Sequence, residues 1–225
     1  MNFFQFLKSL DDLLYEVVSW LAFYPVTLWR TLRQPIAMME YASNELGRPD
    51  EERFDDALSP PILLLLTVLV AHALELALIG DSELVARTTG IAGLINDDTS
   101  LILLRLVAFA SFPLIFAIRT VRKQGLRLTR RSLEPAFFAQ CYANAPFALL
   151  VSVSSTLWQF PDATARASAV VIVVLSTLAF MVIETAWFRK VLGVRLAMAA
   201  WNAAVAFVGA FAFMLALGWL VGGSG

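Results

Sequence analysis

Histidine and cysteine are almost missing: one of each stands among 225 residues. Cys141 alone excludes an intramolecular disulfide and a cysteine-based metal cluster, so the cysteine pattern marks no oxidising compartment. There is no Gly-rich phosphate loop, HExxH or GxSxG motif, and no paired carboxylates share a polar loop with the lone His72. General acid–base or metal catalysis has little to work with, so no enzyme activity, cofactor, metal or nucleic-acid partner is expected. Internal repeats are absent too, which leaves the inverted-repeat architecture of many transporters without support. Charge is also scarce. Charged residues make up 16% of the chain and hydrophobic ones 59%, against about 25% and 45–50% in soluble domains. With a mean hydropathy of +0.73, this is a membrane composition.

What the sequence has is long apolar runs. A helix needs about 20 mainly apolar residues to cross ~30 Å of hydrocarbon. Five segments qualify: residues 61–79, 100–118, 136–158, 168–188 and 196–221. Ser59 with Pro60 and Pro61, and Ser132 with Glu134 and Pro135, read as N-caps with first-turn prolines before the first and third spans. The fold class is all-α, a polytopic membrane bundle of five spans (residues 59–221) preceded by a cytoplasmic or interfacial region (residues 1–58).

Loops rich in Lys and Arg stay in the cytoplasm. Lys8, Arg30, Arg33, Arg48 and Arg53 precede the first span, a basic loop (Arg119, Arg122, Lys123, Arg127, Arg130, Arg131) separates the second from the third, and Arg189, Lys190 and Arg195 separate the fourth from the fifth. The other side holds only Arg87 and Arg166. The N-terminus is expected in the cytoplasm and the C-terminus outside. Asp11, Asp12 and Glu16 stand where a cleavable signal would have its apolar core, so no cleavage is expected.

Within residues 1–30, Phe3, Leu7, Leu10, Leu14, Val17 and Leu21 recur at helical spacing opposite Lys8, Asp11, Asp12, Tyr15, Glu16 and Ser19. This predicts an amphipathic helix. Its continuation, VVSWLAFYPVTLW, is too short to span but suits the membrane interface, with Trp20, Tyr24 and Trp29 at headgroup level. The helix is read as an interfacial anchor packed against the spans or as a partner-binding element. The acidic stretch 44–56 and the basic loop carry opposite charge, which invites docking between them; contact of the basic loop with anionic lipid headgroups is the competing reading.

Ionisable groups inside spans cost ~2.5–3.5 kcal/mol at the helix centre, so each needs a partner or a polar cavity. At ~1.5 Å per residue, Glu75 in the outward first span and Arg105 in the inward second both lie roughly 6–8 Å below the outer boundary. They can meet as a charge-assisted pair, with His72 one turn deeper on the face of Glu75. Either the trio is a structural strut, or it lines a proton or ion pathway in which His72 titrates. A second polar set, Gln140, Tyr142 and Asn144 before Pro146, faces Asn202 at similar depth, and an Asn144–Asn202 hydrogen bond is expected. Glu184 reads as a terminal charge reaching toward water or the bases Arg119 and Arg189. Ala203, Ala206, Gly209, Ala210, Ala212, Ala216 and Gly218 make the fifth span a small-residue helix, suited to packing inside the bundle or to homodimerisation.

With RTLRQP (Arg30 to Pro35) ahead of five closely spaced helices and YANAP (Tyr142 to Pro146) in the third span, the chain resembles the Yip1-like membrane domain over roughly residues 30–221. The resemblance implies a non-enzymatic protein that organises membranes or recruits partners; some short bacterial chains of this type are called permeases. Ala, Leu and Arg usage suits a bacterial inner membrane. The expected function is that of a membrane organiser or assembly partner, with a small permease or an ion pathway through His72, Glu75 and Arg105 as the alternative.

Overall fold

A computed structural model describes residues 3–49, 52–79 and 98–222, and among them every regular element is helical. Seven helices follow in order: α1 (Phe3–Arg33), α2 (Pro35–Glu45), α3 (Pro60–Ile79), α4 (Asp98–Lys123), α5 (Arg130–Trp158), α6 (Ala163–Leu192) and α7 (Leu196–Gly222). The five from α3 onward are long and apolar enough to cross a membrane. They correspond to the five expected spans; α4, α5 and α6 extend beyond them by several residues, among them Arg122, Arg130 and Arg189, while α3 and α7 match to within one residue. Arg87, expected on the outer side, lies outside the described residues.

Local chemistry sets the helix ends. The Thr129 hydroxyl accepts the Ser132 N–H at 3.2 Å while the Ser132 hydroxyl accepts the Thr129 N–H at 3.0 Å, a reciprocal capping box. Thr129 is therefore the cap expected at Ser132, and the helix starts early enough to include Arg130 and Arg131. Asp162 caps α6 by accepting the Ala165 N–H at 3.0 Å. That helix stops at Gly193, whose φ of 62° lets its N–H return to the Arg189 carbonyl.

Helix α5 is the axis. It touches α1, α2, α3, α4 and α6, while α7 packs on the other side of α4 and α6. Tyr142 Oη donates to the Leu58 carbonyl at 2.6 Å, and Gln159 Nε2 donates to Glu75 Oε1 at 3.1 Å. Both bonds join residues 84 apart. Equal spacing means that α3 and α5 run parallel in one register. Phe112 (α4), Phe147 (α5), Phe180 (α6) and Phe207 (α7) form the aromatic middle of the bundle, with Phe147 stacked on Phe180 at 4.5 Å between centroids.

The small residues of α7 divide between the core and the surface: Ala203, Ala206 and Ala210 are buried, whereas Gly209, Ala212, Ala216 and Gly218 are exposed. Ala199, Ala203, Ala206 and Ala210 are buried in the same core, while Trp201, Val208, Leu215 and Trp219 point outward. Helices approach closely where side chains are small, and the bulky residues face lipid.

Helix α2 is a short helix that composition did not flag. Pro35 occupies its first turn, where a missing N–H costs nothing, and Met38, Met39, Ala42 and Glu45 are buried against the bundle. The expected anchoring of α1 needs correction. Leu14, Val17 and Leu21, on its anticipated packing face, are exposed, and only its last turns meet the bundle, through Trp20, Tyr24, Leu28 and the buried Thr27 and Thr31. Phe3, Leu7 and Leu10 have side chains outside the described set.

A polar clasp holds α1. The Thr27 hydroxyl accepts the Leu58 N–H at 3.0 Å, and Arg30 Nη1 donates to Asp56 Oδ2 at 3.1 Å and to the Asp56 carbonyl at 3.0 Å. Tyr41 Oη donates to Asp56 Oδ1 at 2.5 Å. This hydrogen bond holds Asp56 below the ordinary 3.8; burial opposes it, and Arg30 adds to it. Tyr41 is pushed above its ordinary 10.0 by burial first and by Asp56 second. A depressed carboxyl stabilises the fold above 3.8 and loses that contribution as pH falls through its lower folded value; a raised phenol contributes below 10.0 and loses it as pH rises further.

Two predictions follow from this packing. Ala203→Leu should lower the unfolding free energy in detergent by about 1–3 kcal/mol through overpacking, whereas Val208→Leu on the outward face leaves it unchanged. Acidification below the ordinary aspartate range should release α1, read as a change in Trp29 fluorescence, and Asp56→Asn should remove that acid transition.

Candidate functional site

The first polar cluster, expected near the outer boundary, sits where α3, α4 and α5 meet. The first of these helices carries His72 and Glu75 on its buried face, 3% and 5% exposed. Arg105 Nη2 forms an ion pair with Glu75 Oε2. Its Nη1 lies 3.2 Å from His72 Nδ1. A guanidinium only donates, so Nδ1 accepts and the ring hydrogen lies on Nε2, which has no partner among the described residues. Gln159, just past the end of α5, supplies Glu75 with its second bond. The structure thus brings together all three residues expected here and adds Gln159. Depth along the spans did not point to it: Gln159 lies one residue past the end of α5 at Trp158, whereas Glu75 lies four residues inside the end of α3 at Ile79, and the amide reaches back across that offset. A cavity of about 240 Å³ opens beside the pair, lined by Glu75, Arg105, Ser152, Ser155, Met214 and Gly218.

The second expected set does not form one cluster. Asn144 Nδ2 donates to the Gln140 carbonyl at 2.9 Å, back-bonding one turn within α5. Asn202 Oδ1 instead accepts from Arg119 Nε at 3.0 Å, and its amide donates to the Met198 carbonyl at 2.8 Å. Each asparagine therefore has a partner nearer along its own helix or a charged one across it, and the expected Asn144–Asn202 bond is replaced. Tyr142 turns the other way, toward Leu58.

Glu184 also departs from expectation. It is fully buried, and its Oε2 accepts from Gln140 Nε2 at 2.9 Å. Neither Arg119 nor Arg189 pairs with it among the described residues. The connection between α5 and α6 is only a few residues long, so the two helices are antiparallel neighbours. Gln140 and Glu184 lie nearly the same number of residues from that connection, and the depth argument that paired Glu75 with Arg105 would have paired them as well.

The acidic stretch is occupied locally. Glu45 pairs with Arg48 at 3.0 Å and accepts the Phe54 N–H at 2.9 Å, while Asp56 belongs to the clasp. Among the described residues, no ion pair joins residues 44–56 to the basic loop. Arg122, Lys123, Arg127, Arg130 and Arg131 are exposed, and Lys190 is the base that reaches α2, at Glu40. Short local loops reach their partners at less entropic cost than a long-range docking.

The fold defines an integral membrane protein: an all-helical bundle with five helices fit to span a bilayer and with buried charge near one end. No protein-family model, curated protein or solved structure matches the chain.

Glu75→Gln should destabilise the bundle, toward the ~3–5 kcal/mol typical of breaking a buried pair, lessened by the 21% exposure of the Arg105 side chain. The charge-swapped Glu75→Arg/Arg105→Glu protein should recover part of the loss in thermal unfolding.

Proposed function

We propose that the protein is a non-enzymatic organiser or assembly partner of Yip1-like type in a bacterial inner membrane, with α2 and the basic loop on the cytoplasmic side and the C-terminus outside. The observation that carries this reading is α1. Leu13, Leu14, Val18 and Leu21 are apolar and exposed, Tyr15 among them is 78% exposed, and the helix is tethered only by its last turns. A long amphipathic arm fixed at one end suits an interfacial element that receives a partner helix or anionic lipid headgroups. Exposed bases of the loop at Arg122 to Arg131 add attraction to such lipids.

The pathway alternative has a physical obstacle. The outer cluster around Arg105 and the Gln140–Glu184 pair are separated along α5 by Phe147, itself packed against Phe112, Phe180 and Phe207. Protons and ions need polar groups at each step, and the ring contacts of this layer supply none. Within the cluster, Glu75 and Arg105 satisfy each other, which suits a strut.

Photo-reactive residues at Tyr15 and at outward-facing Val208 test the proposal. Protein crosslinks in native membranes are expected at Tyr15 and not at Val208, and purified protein in liposomes should pass neither protons nor small solutes. Selective flux that Glu75→Gln abolishes without unfolding would overturn the reading in favour of a permease.

A further inference from the structure

The Gln140–Glu184 pair holds an incomplete hydrogen-bond count. Both side chains are fully buried. One bond joins them, from Gln140 Nε2 to Glu184 Oε2 at 2.9 Å. The atoms left over, Gln140 Oε1 and Glu184 Oε1, are both acceptors and neither has a donor among the described residues. An orphaned buried acceptor costs about 1–3 kcal/mol, and two on one pair of groups call for a common explanation.

A primary amide and a carboxylic acid are complementary along both edges. The amide N–H donates to one carboxyl oxygen, and the carboxyl O–H donates to the amide oxygen. A carboxylate lacks the second donor. One hydrogen on Glu184 Oε1 therefore supplies what both orphaned atoms lack. Interchanging the amide nitrogen and oxygen of Gln140 does not remove the need, because two oxygens would then face each other at 2.9 Å.

Among the described residues, no basic side chain takes the place of that hydrogen. Of the charged groups on the elements packed against α6, Arg119 of α4 is bonded to Asn202 of α7, and Glu40 of α2 is paired with Lys190. On α5, Glu134 and Arg130 are exposed near its first turn, and Arg189 is exposed on α6 itself. The described part of α7 carries no ionisable side chain near Glu184. On the same face of α6, one turn nearer the α2 end, Trp187 has an indole N–H without an acceptor among the described residues. Trp187 lines a cavity of about 470 Å³ together with Glu40, Asn44, Thr120, Gln124 and Ser132. Polar side chains line part of this cavity, and it is large enough for several waters. On the opposite side of the pair stands the phenylalanine layer.

We propose that Glu184 is a proton-binding site, paired as a carboxylic acid with the Gln140 amide and exchanging its proton with water only from the α2 side of the bundle. The site binds and releases without conducting. Loss of the proton leaves a carboxylate facing the Gln140 oxygen and breaks one of the two bonds between the Gln140 and Glu184 side chains, so the site reports acidity on that side to the helix that carries the core.

Infrared spectroscopy of the full chain in proteoliposomes tests this. A carbonyl stretch of a protonated carboxyl is expected at neutral pH, absent in Glu184→Gln and shifted in Gln140→Leu. Raising the pH on the α2 side should abolish the band, and raising it on the other side alone should not. Glu184→Gln keeps a donor and an acceptor at the position and should retain the wild-type unfolding temperature, whereas Glu184→Ala lowers it. A wild-type spectrum identical to that of Glu184→Gln at neutral pH would overturn the proposal, as would a band that responds to sodium or potassium at constant pH, the mark of a metal-cation site. Response from both sides would overturn the one-sided access. None of these outcomes depends on whether α1 receives a partner.

Discussion

Polar groups carried into the bundle by α5 have to find partners on the helices around it, and this requirement organises the molecule. Tyr142 reaches Leu58, Gln140 reaches Glu184, Ser154 reaches the Ala169 carbonyl, and Gln159 just beyond the helix reaches Glu75. In hydrocarbon, apolar burial offers no net drive for one helix to seek another, so packing and hydrogen bonds decide which faces meet. Because two of these bonds share one register, α3 cannot slide along α5 without breaking both. Helix α4 is then tied to the same end through Arg105, and α6 through Glu184 and Ser154.

Around that frame, shape does the rest. The alanine face of α7 lets it approach the aromatic middle, where Phe112, Phe147, Phe180 and Phe207 meet in stacked and edge-on contacts. The layer divides the polar content of the membrane domain in two. On one side is a charge-paired cluster with Glu75 and Arg105; on the other the Glu184 carboxyl is bonded to the Gln140 amide, and Arg119 to the Asn202 amide. Different chemistry on the two sides of the aromatic layer suits separate roles, a strut at one end and the proposed proton site at the other. The N-terminal helices complete the second side: α2 walls the cavity beneath Trp187, and the Asp56 clasp fixes the root of an otherwise exposed α1.

The depth of a residue along a span was the most informative quantity in the sequence. It paired Glu75 with Arg105 before any coordinates, because two helices crossing the same slab place equal counts of residues at equal depth. It misled for Asn144 and Asn202, where depth was similar but helix rotation was not: the first back-bonds along α5, and the second faces Arg119. Glu184 was misread for the reverse reason. Its distance from the end of the span suggested access to water, yet it faces inward. Helix α2 escaped notice because an eleven-residue segment between two prolines-and-polars stretches has neither the length nor the periodicity to stand out.

By itself the sequence determined that the protein is an all-helical membrane protein with five apolar spans and a preceding amphipathic helix, since length and hydropathy are properties of each segment alone. Tertiary structure decided which residues share a partner: that Arg105 serves both Glu75 and His72, that Ala203, Ala206 and Ala210 of α7 are spent inside the bundle, and that Glu184 is enclosed with Gln140. Those outcomes depend on the rotation of each helix about its axis, which is chosen only when the helices pack and every buried polar group is counted at once.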